Sequence, residues 1–384
     1  MSILFQMTFP DSPASLLQSL IQIPSVNPDG ARGQGATGEK ACAEWVGTFL
    51  EACGAEVVFE EVLLGRPNVT GHFPGREGKP GLLFAPHTDT VSVKGMTIDP
   101  FGGEIREGKV WGRGASDTKG TMAGMLWALY QLKDEIPNYD AAISFVGLMG
   151  EEAGQPGSKH FAEHHANEYE FAVVGEPTEL KTVYASKGCV WLELSTTGRS
   201  CHGSTPERGE NAIRKLMPVL ETLLPALEAK LPEFHDDTLG NPTVSLGSLN
   251  GGTSPNIVPA SCSAILDFRE TPALHQAGGG LKLVRDFLAE TGATETIEVK
   301  IVGDSVPLFT PPDTDGVRRL QSIGSELTTA PWFCDAGRLG EKGLAAVAVG
   351  PGTIAQAHTK DEFLAIDDLE EGVEFYANFM RTYA

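Results

Sequence analysis

The sequence predicts an α/β protein in which a mixed sheet with helices on both faces is interrupted by a smaller, inserted α+β domain. Three observations support this prediction. In the first half of the chain, short apolar runs alternate with amphipathic helical patterns, which is typical of such sheets. Near residue 186 the pattern changes to strands of alternating polarity, and from about residue 300 the earlier pattern returns. We therefore predict one domain formed by residues 1–185 and 300–384, and an inserted domain formed by residues 186–299.

Two predicted helices open the larger domain. The first, within SPASLLQSLIQIPS, has a cap at Ser12, a proline at its first helical position and periodic leucines. The second, GEKACAEWVGTFLEACG, ends at Gly54, because glycine readily adopts the left-handed conformation that closes a helix. A third helix is predicted at SDTKGTMAGMLWALYQLKDE, and the last one at DDLEEGVEFYANFMRTY.

The predicted strands of this domain are mostly short apolar runs, which suit a sheet covered on both faces. They are AEVVFEEV, NVTGHF, GLLFAPH, AAISFVGLMG, EFAVVGEP and GLAAVAVGPG. The inserted domain has predicted strands at GCVWLELSTTGRS, TVSLGSLNGG, SCSAILDFRE and IEVKIVGDS, and helices at NAIRKLMPVLETLLPALEAK and LKLVRDFLAETG. Just before the second of these helices, Gly278–Gly280 predicts a short flexible loop.

The composition argues against several classes of protein. A net charge of −22 argues against nucleic-acid binding, which needs a basic face. No apolar run approaches the roughly 20 residues that span a bilayer, and MSILFQMTFPDSP lacks the features of a secretory signal. The six cysteines form no CxxC pair, so we expect free thiols in a reducing compartment and a cytoplasmic protein.

Polar side chains follow the ends of the predicted strands of the larger domain. They are His87, Asp89, Asp117, Glu151, Glu152, Glu176 and His358. Because ligands of open α/β sheets bind beyond the carboxyl ends of the strands, we expect these side chains to share one edge of the sheet. Taken alone, Asp117 could cap a helix and His87 could be a hydrogen-bonded core residue. The pair Glu151 and Glu152 could simply be solvated.

As a set, these residues indicate a metal site. Converging carboxylates repel each other and raise each other's pKa unless cations compensate for them. Two imidazoles and three carboxylates form a mixed nitrogen and oxygen ligand set, which suits zinc or another divalent transition metal. Calcium fits this set less well, because it prefers oxygen ligands alone.

Two pairs of neighbouring residues suggest more specific roles. The side chains of Glu151 and Glu152 point in different directions, so one can bind a metal while the other serves as general base for a metal-bound water. His87 and Asp89 fit a pair in which the carboxylate accepts the second imidazole N–H and so fixes the tautomer of the ligand.

The segments HTDTV, GRGASDTKG, GEEAG, GEPT and AHTKDEF resemble motifs of the co-catalytic zinc metallopeptidase family, in the same order and over nearly the whole chain. Its members include acetylornithine deacetylase, succinyl-diaminopimelate desuccinylase, aminoacylase and glutamate carboxypeptidase. The resemblance implies a homodimer whose catalytic domain, interrupted by a dimerisation domain, holds two zinc ions, for which cobalt or manganese could substitute. The implied roles are His87 and Glu176 on one zinc, Glu152 and His358 on the other, Asp117 as the bridge, Glu151 as general base, and Asp89 as the residue that orients His87.

The resemblance also implies roles for residues outside this set. His202, in RSCHGSTP, becomes an oxyanion-stabilising residue that reaches the partner subunit's site, although the segment could be a capping or surface loop. Asn256, in NGGTSPNIVP, becomes a substrate contact in trans, with a plain hairpin as the alternative. Arg269 sits where the family binds a substrate carboxylate, which a guanidinium suits, but it could be a surface arginine. Lys187 and Arg338 are further candidates for substrate binding.

The implied reaction is hydrolysis of the amide bond of an N-acyl amino acid. Glu151 takes a proton from the zinc-activated water, which attacks the carbonyl carbon, and then returns the proton to the leaving amine. The segment GPGTIAQAHTKDEF most resembles acetylornithine deacetylases, while a desuccinylase and a dipeptidase or carboxypeptidase of the same family are alternatives. Outside this class, the chain could be a non-catalytic, metal-stabilised binding protein. It could also be a nucleotide-binding enzyme, although GRGASDTKG matches neither GxGxxG nor a Walker loop.

Overall fold

The computed structural model describes residues 9–30, 35, 37–76 and 79–384. The chain forms two compact units. The first contains the described residues up to Tyr184, with Thr310–Thr328 and Cys334–Ala384, and the second contains Ala185–Phe309 and Thr329–Phe333. Among the described residues, no helix combines the length and apolar character needed to cross a membrane. That the two units serve as catalytic and dimerisation domains stays a prediction.

The two units are built from the following helices and strands. The helices are α1 Pro13–Ile21, α2 Lys40–Ala52, α3 Lys119–Leu132, α4 Pro156–His165, α5 Ala212–Lys230, α6 Pro272–Gln276, α7 Gly279–Glu290, α8 Asp315–Ser322, α9 Asp335–Glu341 and α10 Ile366–Arg381. The strands are β1 Glu56–Leu63, β2 Arg66–Phe73, β3 Lys79–Ala85, β4 Glu104–Arg106, β5 Lys109–Trp111, β6 Ala141–Gly147, β7 Tyr169–Val174, β8 Thr182–Ser186, β9 Gly188–Thr197, β10 Thr243–Gly251, β11 Ser261–Glu270, β12 Glu298–Ser305, β13 Leu308–Phe309, β14 Leu327–Ala330, β15 Ala346–Ala348 and β16 Phe363–Ala365.

The main sheet of the first unit is mixed. Its strands run in the order β1-β2-β6-β3-β7-β15-β8. The central strand β3 is parallel to both β6 and β7, and β15 is parallel to β7, whereas β1 and β2 add an antiparallel edge. Three short strands form a separate antiparallel sheet in the order β16-β5-β4.

Both faces of the central strands are buried. Leu82 and Phe84 of β3 join the main hydrophobic core with residues of α1, α2, α3 and α10. Their neighbours Leu83 and Ala85 point to the opposite face, since side chains alternate along a strand, and they are also fully buried. Strands covered on both faces have apolar residues at successive positions, which is why these segments are nearly uniformly apolar. The predicted α/β class, with a mixed sheet and helices on both faces, is confirmed.

The second unit is built on an antiparallel sheet in the order β10-β11-β9-β12. Along β11 every second residue is buried against leucines of α5 and α7, which gives this unit its own core. The prediction of a loop at Gly278–Gly280 is wrong in part, because α7 begins at Gly279. Glycine is required at position 280, where a Cβ atom would lie 2.6 Å from the ring of Phe268.

Candidate metal centre

Three parallel strands bring candidate ligands to one edge of the main sheet. β3 leads to His87, β6 leads to Glu151 and Glu152, and β7 leads to Glu176. The pairing of β3 with β6 continues past both strands, because the Thr88 N–H donates to the Leu148 carbonyl at 2.7 Å. This extension holds the turn after β6 next to the imidazole of His87.

Two loops supply the other candidate ligands. Asp117 lies just before α3, and the hydroxyl of Thr118 donates to the carbonyl of Gly175 at 2.7 Å, which ties this loop to the end of β7. His358 follows β15 in a loop where its own backbone has a left-handed φ of 61°. Its side chain is half exposed, whereas that of Asp117 is buried.

The candidate ligands form two groups that share Asp117. One group is His87, Asp117 and Glu176, and the other is Asp117, Glu152 and His358. Within each group the potential ligand atoms all lie within 4.8 Å of one another. The two carboxylate oxygens of Asp117 serve different imidazoles: Oδ1 is 3.1 Å from Nε2 of His87, and Oδ2 is 3.3 Å from Nε2 of His358. This arrangement places one carboxylate between two sites.

The electrostatics of the two groups fit bound cations. Burial raises the pKa of Glu176 well above its ordinary value, and the charge of Asp117 raises it further. Burial also raises the pKa of Glu152. The hydrogen bonds to Asp117 and Glu152 raise the pKa of His358 to about 10. Buried carboxylates interacting with imidazole nitrogens form a donor set that suits divalent transition metals, so the residues fit such ions.

Asp89 organises the centre without belonging to either group. Its Oδ1 accepts the Glu151 N–H and its Oδ2 accepts the Glu152 N–H, each at 3.0 Å, while the side-chain amide of Asn27 donates to Oδ2 at 2.7 Å. Nδ1 of His87 is 3.0 Å from the backbone oxygen of Asp89 and 3.4 Å from its carboxylate. Burial alone would raise the pKa of Asp89, but hydrogen bonds from His87 and Asn27 hold it below its ordinary value.

Glu151 is a buried carboxylate. Among the described residues, it belongs to neither of the two groups of candidate ligands. The amide of Gln155 lies 3.5 Å from its Oε1. Burial raises the pKa of Glu151 well above its ordinary value, and the nearby charges of Asp335 and Glu176 raise it further. A carboxylate beside the candidate ligands, but separate from them, has the position that a general base requires.

The structure also places residues at the centre that the sequence analysis did not identify. Asp335 is buried at the start of α9 and accepts a hydrogen bond from the hydroxyl of Ser158, while its Oδ2 has no hydrogen-bond partner among the described residues. Burial raises the pKa of Asp335 to about 6. Glu362 is fully buried beside the Asp117 loop. The only sequence signal for Glu362 was its presence within AHTKDEF.

Four of the predicted site residues lie in the second unit. His202 and Asn256 lie on adjoining loops, where the Gly203 N–H donates to the Asn256 carbonyl at 2.7 Å, and both side chains are exposed. Arg269 contacts Asp267 through two of its nitrogens, each at 3.0 Å, so its guanidinium already binds a carboxylate. Lys187 donates to the carbonyl of Asn241. Substrate contacts for these four residues stay predictions.

Arg338 lies in the first unit, within α9. It is buried, and its Nε donates to the side-chain oxygen of Gln155 at 3.2 Å. The side-chain NH₂ group of Gln155 also lies 3.5 Å from Oε1 of Glu151. Gln155 therefore connects Arg338 to the candidate general base. Its predicted contact with substrate stays a prediction.

Residues 83–382 match the model of the family described as peptidase family M20/M25/M40. The acetylornithine deacetylase of Vibrio vulnificus (strain CMCP6) is 29% identical over 362 residues, which cover 90% of this chain and 92% of the relative. The acetylornithine deacetylase of Buchnera aphidicola subsp. Schizaphis graminum is 33% identical over 297 residues, which cover 75% of this chain and 77% of the relative.

Solved structures share this fold at lower identity. The M20 family metallo-carboxypeptidase Sso-CP2 from Sulfolobus solfataricus superimposes with a TM-score of 0.79 at 20% identity, covering 97% of this chain and 99% of that one. The YXEP protein of Bacillus subtilis, described as a dinuclear metal binding peptidase from M20 family, has a TM-score of 0.68 at 15% identity and covers 96% of both chains.

Proposed function

The chain belongs to peptidase family M20/M25/M40 and is therefore a hydrolase of amide bonds, and from this premise we propose that it removes the acyl group of an N-acyl amino acid. The motif resemblance found in the sequence is confirmed. The observation that carries the proposal is the position of Asp117 between two groups of candidate ligands, with Glu151 beside them. Acetylornithine is the proposed substrate, because relatives that align with most of the chain are acetylornithine deacetylases.

The proposed cofactors are two zinc ions, with cobalt or manganese as substitutes. His87 and Glu176 would hold one ion, Glu152 and His358 the other, and Asp117 both. When bound, such ions polarise a carbonyl oxygen and lower the pKa of a water.

In this proposal the residues of the chain move the proton and hold the ligands in place. Glu151 takes a proton from the attacking water and gives it to the leaving amine, which requires a carboxyl group that can carry a proton between two steps. Burial raises the pKa of Glu151 well above its ordinary value, and a carboxyl group that holds a proton more readily suits that role. The carboxylate of Asp89 accepts hydrogen bonds from the backbone N–H groups of Glu151 and Glu152, and its backbone oxygen lies 3.0 Å from Nδ1 of His87, so Asp89 holds both segments in place.

A substrate panel tests the proposed function. The zinc-loaded protein is incubated with acetylornithine, other N-acetyl amino acids, N-succinyl-diaminopimelate and simple dipeptides, and the amine released is quantified. We expect release of ornithine from acetylornithine. Preferred cleavage of a dipeptide or of the succinyl compound would keep the hydrolase and reject the acetyl substrate. No cleavage of any member by protein that binds two zinc ions would contradict the proposed function and favour a binding protein.

His202 is the proposed oxyanion-stabilising residue, acting in a homodimer on the partner subunit's site. A His202→Ala variant is expected to keep its metal ions and dimeric state and to lose kcat by roughly 10²–10³-fold, the usual cost of one oxyanion donor. Turnover, ion content and mass by light scattering would be measured together. His235→Ala, which changes another exposed histidine of the same unit, is the matched control. Wild-type turnover in the His202 variant would remove this residue from the mechanism.

A further inference from the structure

Glu362 makes an unusually complete set of contacts with the loop that carries Asp117. Its side chain is fully buried. Oε1 accepts the backbone N–H groups of Ser116 and Asp117 at 2.8 and 2.9 Å. Oε2 accepts the Gly114 N–H at 3.0 Å and Nη1 of Arg113 at 2.7 Å. A single carboxylate thus binds the backbone at Gly114, Ser116 and Asp117 and the side chain of Arg113.

Arg113 extends the same contact to the loop of His358. Its guanidinium is buried, and Nη2 donates to the backbone carbonyl of Thr359 at 3.0 Å. The Gly112 N–H also donates to the Glu362 carbonyl at 3.0 Å, which continues the pairing of β5 with β16. The pair of Arg113 and Glu362 therefore joins the segment that precedes Asp117 to the segment that follows His358.

The position of the Asp117 carboxylate affects both groups of candidate ligands. Its two oxygens lie 3.1 and 3.3 Å from two different imidazoles, so a displacement of this carboxylate changes its distances to His87 and His358 together. The backbone N–H of Asp117 is itself one of the four donors to Glu362. A buried carboxylate is costly unless it is fully hydrogen-bonded, and here the bonds that satisfy Glu362 are also the bonds that hold the bridging residue.

From this geometry we infer that Glu362 is a positioning residue of the metal centre, which sets the carboxylate of Asp117 between the two groups of ligands. This inference rests on the proposed two-metal function. Glu362 belongs to neither group of candidate ligands, so it acts through the backbone of Asp117 and through Arg113.

The test is cobalt binding by a Glu362→Gln variant. Glutamine has the same shape, but its NH₂ group cannot accept hydrogen bonds, so one of the two pairs of donors around Glu362 loses its acceptor in either orientation of the amide. The full-length protein, freed of metal, is titrated with Co²⁺ alone, and the visible absorption and the number of bound ions are recorded. We expect the wild type to bind two ions and the variant to bind at least one of them about 10–100-fold more weakly, with an altered absorption band, as loss of an outer partner does.

Glu270→Gln is the matched control for a merely structural role. Glu270 is an equally buried glutamate of the second unit that accepts the Gly280 N–H at 2.6 Å and contacts His275. Its variant is expected to lose stability without any change in Co²⁺ affinity or spectrum. If Glu362→Gln binds two ions with wild-type affinity and spectrum, the inference is wrong and Glu362 is only a structural ion pair.

A second variant covers failure of Glu362→Gln to fold. Arg113→Lys keeps a buried positive charge beside Glu362, but a lysine cannot reach Glu362 and the Thr359 carbonyl with the fork of a guanidinium. Weaker binding of one Co²⁺ ion is expected here too, and unchanged binding would overturn the inference. A wild type that binds fewer than two ions would reject the proposed two-metal function itself, and the inference with it.

Discussion

A Glu151→Gln variant is expected to lose roughly 10²–10⁴-fold in kcat, the usual contribution of a general base, while it still binds two metal ions. Glutamine keeps the size and hydrogen-bonding reach of Glu151 but cannot accept the proton of the attacking water. Glu151 lies outside both ligand groups, so its loss leaves every proposed ligand in place. Loss of turnover with both metal ions still bound is expected for a general base, whereas loss of a ligand would also weaken metal binding.

The measurement combines steady-state kinetics on the preferred member of the substrate panel with the number of zinc ions per chain. Glu163→Gln, which makes the same change at an exposed position of α4, is the matched control and should keep wild-type kcat. A Glu151 variant with near-normal turnover would show that another group moves the proton. A variant that loses an ion would instead place Glu151 among the ligands.

The candidate ligands could be named from the sequence because the fold places them at predictable positions. His87, Glu152 and Glu176 each follow a parallel strand that is buried on both faces, and such strands are recognisable as continuous apolar runs. Since the carboxyl ends of parallel strands meet at one edge, residues far apart in sequence could be expected to lie together. The resemblance to the family indicated which of these ligands would hold the same ion.

The supporting residues could not be found in this way, because their contacts join segments that lie far apart in the sequence. Glu362 binds backbone N–H groups more than 240 residues away in sequence, and Asn27 reaches Asp89 from the loop after α1. No spacing or residue pattern encodes such contacts. The partner of Arg269 is easier to predict from the sequence, because Asp267 is two residues away on the same strand and therefore on the same face.

An Asp117→Ala variant is expected to bind neither metal ion with an affinity near that of the wild type. Both ligand groups contain this residue, and each of its oxygens serves a different imidazole. Removal of the side chain takes one ligand from each site. The affinity for both ions should therefore fall by more than the roughly 10–100-fold that the loss of an outer partner costs, and turnover should fall with it.

Glu176→Ala is the informative comparison, because Glu176 belongs to one group only. Its variant should lose one ion and keep the other, whereas Asp117→Ala should lose both. The two proteins are dialysed against the same buffered zinc concentration, and the bound metal is then counted per chain. If Asp117→Ala retains one ion, the carboxylate serves a single site, and the two groups are independent despite the residue that they share. Equal loss in both variants would mean that the sites fill cooperatively, so that the bridge is one ligand among five.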